Sequence, residues 1–382
     1  MKIAVIGAGL AGLSAASLLA RDGHRVEILE RAQQPQPVGA GLLLQPPGAA
    51  ILGQLGALPD GAEITRIECR TSGGRRVLDV DYAHLHPGLH GLGLTRPALW
   101  ATLLGSAETA GVDIKPGRAI DDIRSLGDAY DLVVVAAGAH SPLWRGPGAH
   151  KSNLYRWSCL WATIPLPAGW RTEALQQRVR GTKKMIGILP LGQRVAALYW
   201  SLRNDRIEDW RARSMQAWVD EVGEIYPEAA ELVAGLSREE LTHATYRDVW
   251  ADPPFQDRVV VIGDAAHGTS PQLGQGTTQA FRDALALTEA LRADAPLSAQ
   301  LQDYWRGRRS RTRYYRHSSR LLTPLFQCDW PLLGTLRDIF AGPVGDIPYV
   351  RRQAVLTVAD LKTGLFGDDW DGVTSSPAPN RA

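Results

Sequence analysis

The 382-residue sequence predicts an α/β protein built on a parallel, nucleotide-binding sheet, with a second α+β region interleaved and helices closing the chain. Three observations carry that expectation. A buried-strand run, Lys2 to Ile6, passes without a gap into Gly7-Ala8-Gly9-Leu10-Ala11-Gly12 and an Ala/Leu-rich helix through Ala20. A second strand, Arg25 to Leu29, ends on an acid, Glu30. Far downstream, Arg258 to Ile262 is an apolar, β-branched run that stops at Gly263-Asp264, and the turn Gly274-Gln275-Gly276 opens a helical stretch from Thr277 to Leu291.

The first two runs supply each part of a dinucleotide fingerprint in order. Gly7 permits the tight turn, Gly9 lets a pyrophosphate approach the backbone, and Gly12 lets the helix pack closely on the strand. Glu30 stands about 20 residues on, where an acid accepts hydrogen bonds from a ribose. The competing reading, a signal peptide or membrane helix over residues 3 to 20, fits poorly with three glycines at this spacing and no A-x-A cleavage pattern.

The rest of the chain organises around these landmarks. A helix is expected around Ala49 to Gly56. Two alternating strands between Ile64 and Val80 join at Ser72-Gly73-Gly74, and a helix runs from Arg96 to Ala110. Asp131 to Ala136 is again a buried strand. Leu154 to Ile164, Lys184 to Leu189 and Arg194 to Leu202 read as a second sheet, covered by amphipathic helices between Ile207 and Leu236. After Pro296 a long helix carries Tyr304, Trp305 and a run of arginines from Arg306 to Arg316. A solvated basic face is the expectation there, ahead of nucleic-acid binding.

Composition narrows the function classes. Hydrophobic residues at 45% and charged residues at 21% describe an ordinary globular chain long enough for two cores. A net charge of +2 gives no reason to expect a nucleic-acid or acidic-membrane partner. Cys69, Cys159 and Cys328 lack CxxC spacing and point to a reducing, cytoplasmic setting without a metal site. His84, His86 and His90 share a Pro/Gly-containing loop with no accompanying acid or cysteine, which favours a base for a phenolic substrate over a metal. Most of the twelve tryptophans are expected in the core, with one or two lining an aromatic pocket.

Four motifs stand in a recognisable series: Gly7 to Glu30; Gly39-Ala40-Gly41 through Pro46 with Leu94-Thr95-Arg96-Pro97; Asp131 through Gly138 to Ser141; and Gly263-Asp264 with Gly274-Gln275-Gly276. From residue 1 to about residue 320 this resembles the group A FAD-dependent monooxygenases, the para-hydroxybenzoate hydroxylase class. The resemblance implies a Rossmann-like FAD-binding domain of glutathione-reductase type, discontinuous over residues 1–60, 95–152 and 252–318. It implies a substrate domain over 61–94 and 153–251, a helical cap over 319–367 and a disordered tail over 368–382. It also implies FAD, NAD(P)H as electron donor, and O2 added to the reduced flavin as a C4a-hydroperoxide that hydroxylates or epoxidises an aromatic or other unsaturated small molecule.

By the same resemblance, the Leu10 and Ala11 amides face the FAD pyrophosphate, Glu30 holds the adenosine ribose, and Arg31 lies at the adenine end. Arg96 contacts the cofactor, and Asp264 bonds its ribityl or phosphate part, or caps the short turn that follows. Gly274, Gln275, Gly276 and Thr277 present amides to the flavin N1–C2=O edge, where negative charge on the reduced flavin favours a helix N-terminus. Pro271 borders the flavin and His267 is structural. Tyr199, Arg180, Arg203 and Tyr246 are the polar candidates for the substrate, and no acid or base is assigned. The partners are a small molecule and O2, with no membrane, in a monomer or homodimer.

Two positions depart from the family pattern. Ala137 stands where an aspartate is usual, which bears on direct NADPH use, and Thr278 stands where an asparagine is common. Together they point to specialised metabolism. Alternatives on the same scaffold are a flavin-dependent halogenase, an FAD oxidase or desaturase, and a non-catalytic flavin-binding protein. Trp161-Ala162-Thr163-Ile164-Pro165 echoes the halogenase signature with the wrong spacing.

Overall fold

A computed structural model of the chain describes residues 1–37, 39–56, 58–144, 146 and 151–370. The chain runs β1 (Lys2–Ile6), α1 (Leu10–Arg21), β2 (Arg25–Glu30), β3 (Gly41–Leu44), α2 (Pro46–Gln54), β4 (Ala62–Ile64), β5 (Arg66–Thr71), β6 (Arg76–Asp81) and β7 (Gly91–Thr95). It continues through α3 (Arg96–Thr109), β8 (Asp113–Pro116), β9 (Leu132–Val135), β10 (Lys151–Pro165), β11 (Ala174–Arg180), β12 (Lys184–Gly192) and β13 (Val195–Arg203). Then come α4 (Ile207–Ala212), α5 (Met215–Ile225), α6 (Pro227–Val233), β14 (Thr242–Trp250), β15 (Phe255–Gln256) and β16 (Val259–Val261). The last elements are α7 (Asp264–His267), α8 (Gly276–Leu291), α9 (Leu297–Phe326), α10 (Pro331–Gly345) and α11 (Pro348–Val358).

Among the described residues these strands form three sheets. The first has the order β15-β16-β9-β1-β2-β8, with β1 at its centre parallel to β2 and β9. The residues Ile3 to Val5 and Leu132 to Val135 are wholly buried, because both faces of the sheet are covered, one by helices and the other by Leu126, Tyr130, Trp144, Ala251 and the short α7. On one side α1, α3 and α8 bury Leu13, Leu103 and Phe281 against the sheet. The second sheet has the order β14-β10-β13-β12-β11-β5-β6 and is antiparallel except where β5 runs beside β11. That single parallel pairing carries residues 66–81 into a sheet otherwise built from residues 151–250. The small sheet β3-β7-β4 lies against β12.

Alternation along the second sheet separates its faces. The outer face carries Ile186, Leu198 and Trp200 onto α5 and α6, where Trp200, Trp210 and Trp218 meet edge-on. The inner face carries Trp161, Tyr199, Leu189 and Ala197 toward β3 and α11. Among the described residues, no helix is long and apolar enough to cross a membrane.

Three expectations need correction. The arginine-rich face of α9 is not solvated. Arg308, Arg311 and Arg316 are nearly buried and meet Asp283, Asp360 with Asp369, and Asp248 respectively. An arginine's flat guanidinium tolerates burial when carboxylates neutralise it, and α9 packs on α8 rather than standing clear of it. The tail is likewise ordered through Trp370, since Asp369 pairs with Arg311 and Arg282. Residues 371–382 lie outside the described residues. Helix α9 also crosses residue 319, where a cap was expected to begin, without a break.

Asp283, like Asp360, is fully buried. Burial alone would raise its pKa, but the opposing charges of His267 and Arg308 outweigh burial and hold the carboxyl down, at about 2. A depressed carboxyl stabilises the fold above the unfolded-state pKa and loses that contribution as pH falls toward the folded value. Acid unfolding should therefore cost about 2 kcal/mol between roughly pH 4 and pH 2 through this group. Urea titrations of the wild type and Asp283→Asn across that range should show a slope in the former that flattens in the latter.

Candidate active site

The fingerprint turn is built by close approach. Gly7 has φ +108° and sits against Ala136, where a side chain would come within 2.8 Å of a carbonyl oxygen. A side chain at Gly12 would meet the Gly7 carbonyl at 1.9 Å, so only glycine lets α1 lie this near β1. Gly9 differs, because a side chain there would meet nothing within 4 Å. That open space lies at the N-terminus of α1, beside Leu10 and Ala11, and is where an anion meets unpaired backbone N–H groups. Trp100 on α3 donates to the Ala8 carbonyl at 2.8 Å and pins the turn from the other side.

Glu30 lies half-buried at the end of β2. Its carboxylate accepts from the Ala8 and Ala32 amides, each at 2.8 Å, so it faces the turn. Arg31 beyond it is exposed. Ala137 follows β9 and lies against Gly7, with its Cα 3.2 Å from where a Gly7 side chain would be. Loss of the usual aspartate is thus a change beside the first turn.

The downstream motif reaches the same place. Gly263 lies on α1, with the Ala11 methyl 2.9 Å from where a Gly263 side chain would stand. Asp264 opens α7, and its carboxylate lies 3.5 Å from the corresponding point on Gly276, the first residue of α8. Arg96 at the start of α3 is in the field of both Asp264 and Tyr246; burial lowers its pKa, and both neighbours oppose that. Gly274 is left-handed at φ +64°, and Pro271, Gly274 and Gly276 are exposed. The structure thus gathers Gly7 to Gly12, Glu30, Arg96, Asp264 and the first turn of α8 around one region.

Two buried carboxylates of this region, Asp283 and Asp360, carried no sequence signal, because their contacts span distant segments. His267 and the Gly263 amide (2.8 Å) both bond one oxygen of Asp283, while Arg308 bonds the other at 2.7 Å. Gln275 is turned away from the open turn and donates to the carbonyls of Val358 (2.7 Å) and Thr357 (3.3 Å). Asp360, fully buried and left-handed at φ +60°, accepts from Gln279 and Arg282 and gives its carbonyl to Arg311. Thr278, the second departure, accepts from the Gln45 amide at 3.3 Å and ties α8 to the end of β3.

The substrate candidates separate. Tyr199 and Tyr246 lie on the inner face with Trp161, whose indole donates to Tyr246 at 3.1 Å. Arg180 projects to the outer face and pairs with Glu224, while Arg203 pairs with Asp205 and Asp329. His84 and His90 bond carbonyls within their own loop, and His86 lies 6.4 Å from Trp370.

A parallel sheet whose central strand runs through a glycine-rich turn into a helix is the arrangement that holds a dinucleotide cofactor. Residues 130–312 match the family model described as an FAD binding domain, and residues 5–36 match an NAD(P)-binding Rossmann-like domain. A probable 2-heptyl-3-hydroxy-4(1H)-quinolone synthase of Rhodococcus erythropolis is 27% identical over 79% of this chain and 82% of its own length. Kynurenine 3-monooxygenase of Salinispora tropica is 29% identical over 81% of this chain and 77% of its own. Klebsiella pneumoniae HpxO, solved with FAD and uric acid, shares the fold at a TM-score of 0.78 and 21% identity, over 94% of this chain and 97% of its own. These matches make the chain an FAD-dependent oxidoreductase that resembles the FAD-dependent monooxygenases along most of its length, with FAD as cofactor and NAD(P)H as electron donor.

Two variants check the cradle. Gly12→Val should abolish FAD retention, read as the flavin-to-protein absorbance ratio of the purified protein. Asp360→Asn removes the charge that ties Arg282 of α8 to Arg311 of α9, and should raise the FAD dissociation constant about tenfold or more. Fluorescence titration of FAD into the apoprotein measures it.

Proposed function

We propose that the enzyme hydroxylates an aromatic small molecule held between the inner face of the second sheet and the first turn of α8. The observation that carries this reading is the placement of Tyr246 between Trp161 on that face and Arg96 with Asp264 at the cofactor region. Bound FAD supplies two-electron reduction by NAD(P)H and activation of O2. The balance is substrate C–H, O2, NAD(P)H and a proton giving C–OH, water and NAD(P)+.

The residues have separate tasks in this reading. The Leu10 and Ala11 amides hold the pyrophosphate at the space beside Gly9, and Glu30 the ribose. Asp264 and Arg96 hold the middle of the cofactor. The amides of Gly276 and Thr277 at the α8 N-terminus favour negative charge at the flavin edge. Pro271 borders the ring, and β12 and β13 roof the site and exclude water. Residues 1–60, 95–152 and 252–318 form the FAD-binding part, and 61–94 with 153–251 the substrate part. Arg180 has no place in this site, since its partner Glu224 lies on the opposite face of the sheet.

Supplied with a panel of phenols and nitrogen heterocycles, the yellow holoenzyme should oxidise NADH or NADPH faster when substrate is added. It should consume O2 and place one atom of 18O2 in the product. Turnover that requires halide and an added flavin reductase would favour the halogenase instead, and turnover without label in the product an oxidase or desaturase.

A further inference from the structure

The inner face of the second sheet holds a small aromatic box. Trp161 and Tyr199 stand directly opposite on β10 and β13, with ring centres 5.6 Å apart at 46°. Tyr199 lies flat over Gly187, where any side chain would meet its ring at 2.2 Å. Trp161 donates to the Tyr246 oxygen, and Gln177 donates to the Tyr199 oxygen. Each tyrosine therefore accepts a bond and keeps its own proton to give. For Tyr246 the neighbour on that side is the Cys159 thiol, a weak acceptor.

The neighbours in register carry no charge. Trp161 faces Thr242 across to β14, and Cys159 faces Ser201 and Ala244. Burial raises both tyrosines well above their ordinary pKa and pushes the Cys159 thiol up to about 12, so all three remain neutral. The nearby cations are engaged elsewhere. Arg178 stacks on Tyr226 and Lys184 pairs with Glu221, both on the outer face, and Arg203 is held by two aspartates. Arg96, beside Tyr246, is committed to the cofactor in the reading above. A carboxylate placed in this box would lose its water without gaining a counter-ion, whereas a ring carbonyl or ring nitrogen would meet a ready donor.

We propose that the enzyme selects an uncharged planar aromatic ring bearing a hydrogen-bond acceptor, and that the Tyr246 hydroxyl is the group that reads that acceptor. The proposal rests on the reading above that this face roofs the substrate site. Because the discrimination is between a satisfied and an unsatisfied buried group, it is larger than a hydrophobic pocket achieves for a change of one methylene.

The test uses oxidised holoenzyme and two ligands of matched size, 4-hydroxybenzamide and 4-hydroxybenzoate, with 4(1H)-quinolone and its 2-carboxylate as a second pair. Binding is read without turnover, from perturbation of the flavin absorption band. The neutral member of each pair should bind roughly 100-fold tighter than the anion. Tyr246→Phe should weaken the neutral ligands about tenfold, leave benzene-like rings without an acceptor unchanged, and raise KM more than it lowers kcat. Equal or tighter binding of the carboxylates overturns the proposal, as does an unchanged affinity in Tyr246→Phe. Failure of the underlying reading has its own signature. Binding that leaves the flavin band unperturbed and is indifferent to Trp161→Phe places the ring elsewhere and sinks both.

Discussion

One buried carboxylate holds the flavin-binding half together. Asp283, in the middle of α8, receives the Gly263 amide and the His267 ring on one oxygen and the Arg308 guanidinium on the other. Those three donors belong to the end of β16, to α7 and to α9. A charge this deep is tolerable only when its lone pairs are met, so the position of each element is dictated by the need to meet them. The Gly263-Asp264 corner can then turn its own carboxylate outward, because the structural work beneath it falls to a different aspartate.

A second layer of the same logic runs from the C-terminus. Asp360 follows α11 in a left-handed conformation that a non-glycine residue adopts only when its surroundings insist. Its carboxylate and carbonyl collect Gln279, Arg282 and Arg311, while Gln275 holds the carbonyls that end α11. The first two turns of α8 are thus held from below by charge and from behind by the last helix. A helix N-terminus that is to address a cofactor edge benefits from such support, since a donor's worth depends on its being fixed before charge develops. In the second sheet the aromatic box has no charged neighbour in register, which leaves a neutral wall.

The cofactor cradle was legible because its requirements are local. Gly7, Gly9 and Gly12 answer to the clearance of a few neighbouring atoms, and β1 to Glu30 lies within thirty residues. The strands of the second sheet were legible from alternation, and the hairpin at Ser72 to Gly74 from its turn chemistry. The arginines of α9 were misread as a solvated face, because the sequence shows their charge and spacing but not Asp283, Asp360 and Asp248, which come from three other segments. Arg180 and Tyr199 looked equivalent as substrate candidates. Strand parity and register put one on each face of the sheet.

Periodicity, turn chemistry and glycine spacing by themselves determined an α/β chain with a dinucleotide turn at one end and a Gly-Asp corner at the other, because such features act over a few residues. Tertiary structure alone decided that the two ends meet at Gly263 and Ala11, that an arginine-rich helix is interior, and that Trp161 and Tyr199 share the inner face of the second sheet with no charged neighbour in register. Those outcomes depend on which distant carboxylate finds which guanidinium, and on which face of a strand turns inward. Neither is written in the spacing of any one segment.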